Sequence, residues 1–471
     1  MPVNWHLSHP VHGNKPRAVQ AEAMKRAAGH QKFGQWLEQG LGKTALDLNE
    51  FIESDDCDIN FVVCPNSFKG DWALAPAEWG VPWVPSGYWP KHPLPDTDEY
   101  FQYSINYEAV REPNVLNQLT RLFDRRRVKL TVDEATAIKT PGTKTFKAVL
   151  ELAKRAKMVR ELNGTPLTQD VRDYYGQLRV LGQLNGMEPV VFRNRFAQMG
   201  GFFGKEVVGT RNEEELARIL NSCTFRALKA DWKKDLPPKE YVSVHLDMSA
   251  RQRHHYNEMM EEFITYIENE EISADMVLTQ MNKLRQISSC VLLKEGREFF
   301  FEEPKNNPKL KAVLDIIATS PGKVIVSYFY RPCGQLLFEA LDKAGLDPAW
   351  IKGGMQPDRM LEQKAKFNGD SKCRVIIGQQ SAAARGHTLT GKGTGRDRCA
   401  TTIFYENDFS YYWRSQMEDR NYGRDEDNLG CTMYDLITSP ADQNTVNILT
   451  GKKDLAAAMD QVIAMVRGHR K

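Results

Sequence analysis

Residues 35–44 read Gln-Trp-Leu-Glu-Gln-Gly-Leu-Gly-Lys-Thr, and the last five of them predict a phosphate-binding loop. Glycines at positions 40 and 42 let backbone N–H groups close on a polyphosphate. The ammonium of Lys43 reaches the outer phosphates, and the hydroxyl of Thr44 can bind Mg²⁺. The residues expected to contact a nucleotide here are Gly40, Leu41, Gly42, Lys43, Thr44 and Ala45.

The segment that follows this loop favours the same interpretation. Residues 45–51 have a helical pattern, and the N-terminus of such a helix would face the phosphates. The full loop pattern has glycine at position 37, where this chain has Leu37. A glycine turn before a helix, with no bound ligand, is the alternative that this stretch alone leaves open.

Length and composition indicate an ordinary globular protein with more than one core. The chain has 471 residues, which suggests about two or three domains. Hydrophobic residues make up 41% and charged residues 26% of the sequence, which is typical of globular proteins. The formal net charge of +2 neither favours nor excludes a nucleic-acid partner, because only one groove needs to be basic.

The cysteines and the N-terminus predict a cytoplasmic location. Eight cysteines are scattered without a C-x-x-C pair, which argues against a zinc ribbon and a disulfide framework and suits a reducing compartment. Residues 1–6 carry neither a basic nor an apolar signal region. No apolar run approaches the ~20 residues that span a bilayer, so we expect no membrane partner.

A pair of carboxylates follows the apolar segment 130–132, which predicts a buried strand. Asp133 and Glu134 then lie at its C-terminal tip, where open α/β sheets place their ligands. Downstream of a phosphate-binding loop, Asp133 would hold Mg²⁺ through water and Glu134 would polarise the attacking water. A plain surface turn is the alternative.

Alternating strands and helices predict an α/β fold with mostly parallel sheets. In the first half, strands are expected at residues 61–65, 103–108 and 158–162, and the last is followed by a Gly-Thr-Pro turn. After a proline-rich linker at residues 235–239 and a long amphipathic, Glu-rich helical region at 249–293, a second set begins. This set begins at about residue 305, and its strands are expected at residues 322–327, 373–378 and 401–405; a further strand is expected at 241–246, between the linker and the helical region.

The second α/β set has no phosphate-binding loop of its own, which predicts a nucleotide held between two lobes. Such a site needs a positive charge from the second lobe to stabilise the transition state. Arg420 and Arg424 are the candidates, and they stand at i and i+4 if a helix persists there. The alternative is two solvated arginines paired with Asp419 and Asp425.

Taken together, the chain resembles the Swi/Snf-type ATPases, the helicase-like DNA translocases of helicase superfamily two, over roughly residues 15–450. Segments similar to the family's motifs occur in the family's order. They are Arg17–Gln20 (Q motif), Gly40–Thr44 (I), Val63–Ser67 with Trp72 (Ia), Tyr103–Glu108 (Ib), Asp133–Thr136 (II), Leu162–Pro166 (III), Ser327–Phe329 (IV), Ala382–Thr390 with Gly386 (V), and Gln416 with Arg420 (VI). The junction at residues 225–239, with Ser249, Gln252, Tyr256 and Leu284–Ile287, is the most discriminating similarity.

The resemblance implies two RecA-like lobes with parallel sheets: an N-terminal arm at residues 1–15, lobe 1 at 16–236 and lobe 2 at 237–471. Helical insertions are expected at about residues 190–230 and 249–300. It also implies that Arg17 and Gln20 bind ATP, with the Gln20 amide at the adenine edge, and that Thr44 and Asp133 bind Mg²⁺. Lys43, Asp133, Glu134, Arg420 and Arg424 form the implied catalytic set. By position, the candidates for contact with the DNA backbone are Ser67, Lys69, Ser327 and Thr390.

The implied function is a monomeric, DNA-stimulated ATPase that moves along or remodels double-stranded or branched DNA. A compact bacterial or phage enzyme, in the bacterial cytoplasm or an infected host, is the expected setting. Three residues depart from the family's motifs and bear on the implied function. Gly423 stands where the family has its second motif VI arginine, Thr136 replaces the histidine of motif II, and Thr388 replaces an asparagine of motif V. A strand-separating or branch-migrating helicase, on DNA or RNA, and a nucleotide-gated DNA-binding scaffold with weak hydrolysis stay open as alternatives.

Overall fold

The chain divides into two compact units, Met1–Asp235 and Leu236–Lys471, which we call unit 1 and unit 2. The computed structural model describes residues 4–9, 13–94, 100–164, 166, 170–200, 206–233, 236–269, 274–294, 297–384, 388–391, 395–423 and 430–451. Interpretation of the units as an arm and two motor lobes stays a prediction. In the segment interpreted as the arm, Leu7 is buried and the backbone N–H of His6 donates to Asn49 at 2.7 Å.

Unit 1 alternates strands and helices along most of its length. Its helices are α1 (Ala18–Ala27), α2 (Lys43–Glu53), α3 (Lys69–Glu78), α4 (Tyr107–Val110), α5 (Pro113–Arg125), α6 (Lys144–Arg155), α7 (Tyr174–Val180), α8 (Pro189–Phe196), α9 (Glu213–Cys223) and α10 (Lys229–Trp232). Its strands are β1 (Lys32–Leu37), β2 (Ile59–Cys64), β3 (Ser86–Tyr88), β4 (Phe101–Asn106), β5 (Val128–Asp133), β6 (Met158–Leu162), β7 (Ala197–Gly200), β8 (Glu206–Thr210) and β9 (Thr224–Ala227). Short 3₁₀ helices cover Asn66–Phe68, Ala135–Ile138 and Val171–Asp173.

The main sheet of unit 1 is parallel, in the order β3-β4-β2-β5-β6-β1-β9 among the described residues. Helices cover both of its faces, so strands such as β2 are buried along their whole length and have near-continuous apolar sequences. The carboxyl ends of parallel strands meet at one edge. The segments that follow β1, β6 and β5 are therefore neighbours, although they are far apart in the chain.

A buried polar cluster joins helix α2 to this sheet. It consists of Asp47, Asn60, Gln102, Lys129 and Thr131, and we call it the Asp47 cluster. Lys129 and Asp47 form an ion pair whose side chains are both 0% exposed. Asp47 also accepts from Asn60 at 2.9 Å and from Thr131 at 2.8 Å. These bonds hold α2 against strands β2 and β5.

The basic segment at residues 121–129 is divided between a helix and a strand. Arg121 and Arg125 are exposed on α5, which ends at Arg125. Lys129 lies instead inside strand β5, where the carboxylate of Asp47 compensates its charge. The sequence around Lys129 does not contain Asp47, so local charge density gave no sign of this pairing.

The region expected to be a helical insertion, at about residues 190–230, also contains strands. Between α8 and α9 the chain forms the antiparallel hairpin β7–β8, and β9 then extends the main sheet by pairing with β1. Segment 206–210 contains adjacent valines, and β-branched residues favour extended backbone.

Unit 2 is a second α/β unit. Its helices are α11 (Ala250–Asn269), α12 (Ala274–Ser288), α13 (Pro308–Thr319), α14 (Arg331–Lys343), α15 (Pro357–Gly369), α16 (Gln380–Ala383), α17 (Tyr411–Glu418) and α18 (Pro440–Leu449). Its strands are β10 (Glu240–His245), β11 (Val291–Lys294), β12 (Arg297–Phe300), β13 (Lys323–Tyr328), β14 (Ala349–Ile351), β15 (Val375–Gln379), β16 (Cys399–Phe404) and β17 (Thr432–Ile437). In the described part of unit 2, short 3₁₀ helices cover Pro304–Asn306 and Gly395–Asp397.

The main sheet of unit 2 is parallel as well, in the order β10-β17-β16-β13-β15-β14. Helices α11 and α12 form a separate core, in which Tyr256 and Met260 pack with Met281 and Leu284. The prediction of an α/β protein with two parallel-sheet units is therefore confirmed. Across the described parts of both units, we find no helix with the length and apolar character needed to cross a membrane.

Candidate nucleotide-binding site

The predicted phosphate-binding loop connects strand β1 to helix α2. Gly40 and Gly42 have φ angles of 80° and 85°, a left-handed conformation that glycine adopts without steric cost. Gly42 is the N-cap of α2 and Lys43 is its first residue, so the helix N-terminus opens onto the loop. The ammonium of Lys43 donates to the carbonyl of Leu37 at 2.9 Å, across the mouth of the loop.

Two side chains at the start of helix α1 donate hydrogen bonds to this loop. The guanidinium of Arg17 donates to the carbonyl of Gly40 at 2.9 Å, and the amide of Gln20 donates to the carbonyl of Gly42 at 3.0 Å. The carbonyl oxygen of the same amide accepts from the backbone N–H of Arg17 at 2.8 Å. A primary amide has two N–H groups and two lone pairs, so Gln20 keeps one donor and one acceptor for a further partner.

Asp133 ends strand β5 and is held by three hydrogen bonds. Its Oδ2 accepts from the indole Nε1 of Trp72 at 2.9 Å, and its Oδ1 accepts from the backbone N–H of Glu134 at 3.0 Å. Its backbone carbonyl accepts from the hydroxyl of Tyr107 at 2.6 Å. Burial and the neighbouring Glu134 carboxylate raise the pKa of Asp133 to about 7, whereas Trp72 and the ammonium of Lys43 oppose the shift.

Glu134 has a strained backbone at the start of the 3₁₀ helix Ala135–Ile138. Its φ of 53° is left-handed, which is uncommon for a residue with a Cβ. Such strain costs on the order of 1–3 kcal/mol and is concentrated at functional sites. The side chain is nearly buried at 5% exposure, beside that of Asp133.

The turn after strand β6 lies against the same loop. A Cβ placed on Gly164 would be 3.6 Å from the ammonium nitrogen of Lys43 and 3.3 Å from Cγ of Gln39. Asn163 donates to Gln177 at 2.9 Å, and Gln177 donates to the carbonyl of Pro166 at 2.9 Å, which ties the turn to α7. Thr165 lies outside the described residues.

The side-chain oxygens at this edge of the unit 1 sheet are suitable ligands for Mg²⁺. Asp133 and Thr44 supply a carboxylate and a hydroxyl, and hard oxygen ligands of this kind suit that ion. Each carboxylate oxygen of Asp133 accepts one hydrogen bond, which leaves lone pairs for a metal. Within the described ranges, no group of three or more His, Cys, Asp and Glu side chains is placed to hold a metal. Magnesium in nucleotide sites is typically bound through one or two protein oxygens together with waters and phosphates.

Arg420 is buried in unit 2, at 1% exposure. Helix α17 ends at Glu418, so the condition for an i, i+4 pair on one helix face is not met. The guanidinium donates to the carbonyl of Gln416 at 2.7 Å, and the carbonyl of Arg420 accepts from Leu389 at 2.9 Å. Arg424, the second candidate, lies outside the described residues.

An ion cluster that sequence reasoning missed anchors helix α17. Arg414 donates to Asp435 at 3.0 Å and to Glu418 at 2.7 Å, and the ammonium of Lys239 lies 2.8 Å from Glu418. The i, i+4 spacing of Arg414 and Glu418 was the available signal. Asp435 and Lys239 come from distant segments, so their part in the cluster had no local sign.

The four candidates for DNA contact have different surroundings. Lys69 is 3% exposed, and its ammonium donates to the carbonyl of Trp89 at 2.7 Å and to Asn106 at 3.1 Å. The ammonium keeps a third N–H, but contact with a phosphate would require this buried side chain to become accessible. The hydroxyls of Ser67 and Ser327 are buried without a partner in the described part of the chain, and Thr390 is half-buried with its hydroxyl donating to Gly391 at 3.2 Å. Gly386 of the predicted motif V lies outside the described residues.

Three comparisons place the chain among known proteins. The model of the SNF2-related domain matches residues 105–291, a range that contains Asp133 and Glu134 but not the phosphate-binding loop. A Caenorhabditis elegans homolog of SWI/SNF-related matrix-associated actin-dependent regulator of chromatin subfamily A-like protein 1 is 24% identical over 440 residues, which cover 89% of this chain and 58% of that protein. The human SWI/SNF-related matrix-associated actin-dependent regulator of chromatin subfamily A member 1 is 26% identical over 198 residues, which cover 42% of this chain and 18% of that protein.

Among solved structures, the Sulfolobus solfataricus SWI2/SNF2 ATPase core in complex with dsDNA aligns over 97% of this chain and 94% of that chain. Its TM-score is 0.43 and its sequence identity is 19%. The chain spans 58% and 18% of the lengths of the two curated relatives above. Residues 105–291 match the SNF2-related domain family, and the resemblance of this chain to the Swi/Snf-type ATPases of helicase superfamily two is confirmed.

Proposed function

We propose that this chain is a DNA-stimulated ATPase that moves along double-stranded DNA. The observation that carries the proposal is the shared sheet edge of unit 1. There the loop after β1, the turn after β6 and the carboxylates after β5 follow neighbouring parallel strands. Gly164 approaches the ammonium of Lys43, and that ammonium influences the pKa of Asp133. A lysine, a helix N-terminus and two carboxylates at one edge are groups that nucleotide hydrolysis commonly uses.

Each site residue of unit 1 has a separate proposed role in ATP binding or hydrolysis. Lys43 and the backbone N–H groups of the loop would bind the phosphates of ATP, while Arg17 and Gln20 would contact its base. Asp133 and the hydroxyl of Thr44 would hold Mg²⁺. The metal supplies positive charge that neutralises the phosphate oxygens. Glu134 would orient the attacking water and accept its proton.

Unit 2 would supply the remaining positive charge. Arg420 is the proposed donor to the charge that develops on the transferred phosphoryl group, with Arg424 as the second candidate. For this role the guanidinium of Arg420 has to exchange its bonds to Gln416 for bonds to phosphate.

Duplex DNA is the proposed track. The names of the relatives concern chromatin, and one similar solved structure is a complex with dsDNA. Binding would be through the DNA backbone, so it should be independent of sequence and weaken with salt. Ser67, Lys69, Ser327 and Thr390 stay the proposed contact residues, and we propose a monomeric motor in the cytoplasm.

The test is an ATPase titration with single-stranded, duplex and branched DNA, together with displacement of a triplex-forming strand. The proposal expects the largest stimulation by duplex or branched DNA and ATP-dependent displacement of the third strand. Equal hydrolysis with and without every DNA would contradict it. Unwinding of a forked duplex would instead support the strand-separating helicase.

One observation favours a second function, a nucleotide-gated DNA-binding scaffold with weak hydrolysis. Arg420 is 1% exposed and engaged with Gln416, so the proposed charge donor is not free in this conformation. Under this alternative, wild type binds DNA tightly with negligible turnover, and Glu134→Gln leaves DNA affinity unchanged. Measurable DNA-stimulated turnover in wild type excludes the alternative.

A further inference from the structure

We infer that Trp72 is a positioning residue for Asp133, and that its indole N–H fixes the carboxylate in the orientation that accepts Mg²⁺. This inference rests on the proposed function, because it concerns the metal ligand of the proposed ATPase site. Nothing in the resemblance assigned a role to Trp72 beyond its place in motif Ia.

The hydrogen bonds on the carboxylate come from two directions. The indole Nε1 of Trp72 donates to Oδ2 of Asp133 at 2.9 Å, and the backbone N–H of Glu134 donates to Oδ1 at 3.0 Å. With one donor on each oxygen, rotation of the carboxylate plane would break both bonds. The remaining lone pairs are thereby held in fixed directions, as a metal with strict octahedral geometry requires.

Tryptophan is suited to this task because its indole N–H is a donor only. It can neither bind the metal itself nor carry a charge that would compete with Mg²⁺ for the carboxylate. Lysine or arginine in its place would form an ion pair with Asp133 and oppose the metal. Removal of a residue that hydrogen-bonds to a metal ligand typically lowers metal affinity by about 10–100-fold.

Trp72 is itself firmly held on helix α3. Its side chain is 2% exposed and packs with Val62, Cys64, Phe68 and Leu162. Its backbone carbonyl accepts from the side chain of Gln102. Gln102 in turn accepts from Asn60 at 3.1 Å, and Asn60 donates to Asp47 on α2 at 2.9 Å.

A continuous set of hydrogen bonds thus leads from Asp133 through Trp72 to the helix that begins at Lys43. Both ends of this set belong to the proposed site: one holds the metal ligand and the other follows the phosphate-binding loop. The arrangement keeps the two at a fixed spacing, since every member of the set is buried.

The test measures ADP affinity by calorimetry with and without Mg²⁺, and compares Trp72→Phe with wild type. We expect affinity without Mg²⁺ to stay within about twofold, while the strengthening that Mg²⁺ gives to wild type falls by about tenfold or more. A role in folding alone would weaken ADP binding equally in both conditions. An unchanged Mg²⁺ effect in Trp72→Phe would overturn the inference.

Trp36→Phe is the matched control. Trp36 is also 2% exposed and lies in unit 1, but its indole N–H has no acceptor among the described residues. The control should keep the full Mg²⁺ effect; an equal loss in both variants would contradict the inference.

A second replacement guards against misfolding of Trp72→Phe. A benzothienyl alanine at position 72 keeps the ring shape and substitutes sulfur for the N–H, and it should reproduce the loss of the Mg²⁺ effect. If wild type itself shows no strengthening of ADP binding by Mg²⁺, the proposed site fails and this inference fails with it. That outcome is distinct from a failure confined to Trp72.

Discussion

The side-chain amide of Gln20 donates a 3.0 Å hydrogen bond to the carbonyl oxygen of Gly42, so helix α1 directly supports the phosphate-binding loop. The contact is close enough that a Cβ on Gly42 would lie 2.4 Å from the amide nitrogen of Gln20. The backbone of Gly42 is also left-handed, at φ 85°. Two independent features therefore require glycine at this position.

Gly42→Ala should weaken nucleotide binding, because the new methyl group displaces Gln20 and strains the loop. We expect the affinity for a fluorescent ADP analogue to fall by at least about tenfold, which corresponds to roughly 1.4 kcal/mol. Gly142→Ala is the control, since Gly142 has a similar φ of 83° but nothing within 4 Å of the added Cβ. The control should lose some stability through strain and keep its ADP affinity. Equal ADP affinity in Gly42→Ala and wild type would contradict this account of the loop.

Gly176→Ala should disturb the segment that follows Asp133 and Glu134. A Cβ on Gly176 would lie 1.9 Å from the carbonyl oxygen of Ile138, so helix α7 has to move away from the 3₁₀ helix Ala135–Ile138. Overpacking of this kind costs about 1–3 kcal/mol, which should appear in urea unfolding, and kcat should fall as well. Gly369→Ala, at a helical position with no atoms within 4 Å of the added Cβ, should leave both unchanged. A stable and fully active Gly176→Ala would refute the close approach.

Glu161 on strand β6 is 0% exposed, and neither carboxylate oxygen has a hydrogen-bond partner among the described residues. Burial raises its pKa well above the ordinary 4.5. A folded-state pKa above the unfolded value means that this group favours the fold at low pH. Its contribution is lost as the pH rises from about 4.5 through the raised value.

Glu161→Leu should therefore stabilise the protein more at pH 8 than at pH 5. Leucine removes the buried carboxyl group together with its two oxygens that lack hydrogen-bond partners. Its stabilising effect grows with pH because only wild type must either bury a carboxylate or protonate it on folding. Melting temperatures of the two proteins between pH 5 and pH 9 measure the difference. A difference that does not vary with pH would show that Glu161 has the same protonation state folded and unfolded.

Lys129→Met should destabilise unit 1 strongly. The substitution leaves the carboxylate of Asp47 buried without its cation, and breaking one side of a buried pair costs about 3–5 kcal/mol. Arg127→Met is a nearby comparison, because Arg127 pairs with Asp58 at 2.6 Å on the surface and its loss should barely shift the urea midpoint. Similar urea midpoints for the two variants would contradict the role of the Asp47 cluster.

The sequence predicted those features whose residues lie close together in the chain. The loop at Gly40–Thr44 and the pair Asp133–Glu134 each consist of adjacent residues, and each follows a largely buried strand, β1 or β5. The parallel sheets followed from the alternation of such strands with helices. For these residues, both the place in the fold and a chemical role could therefore be predicted from the sequence.

The features that the sequence did not predict depend on partners far apart in the chain. Lys129 and Lys69 look like solvent-exposed charges until Asp47, Asn106 and the carbonyl of Trp89 are placed beside them. The bond from Trp72 to Asp133 joins residues 61 positions apart, and neither segment indicates it. Helix α17 ends at Glu418, and the carbonyl of Arg420 accepts from the distant backbone N–H of Leu389, a contact that the local sequence does not indicate.

The most direct test of the account is the steady-state rate of ATP hydrolysis in saturating duplex DNA, for wild type, Glu134→Gln and Lys43→Ala. We predict that duplex DNA stimulates wild type, and that either substitution lowers kcat by about 100-fold or more while Glu134→Gln still binds ATP. Hydrolysis by wild type that ignores DNA, or full stimulated activity in Lys43→Ala, would contradict the central claim that this sheet edge is the site of a DNA-driven ATPase.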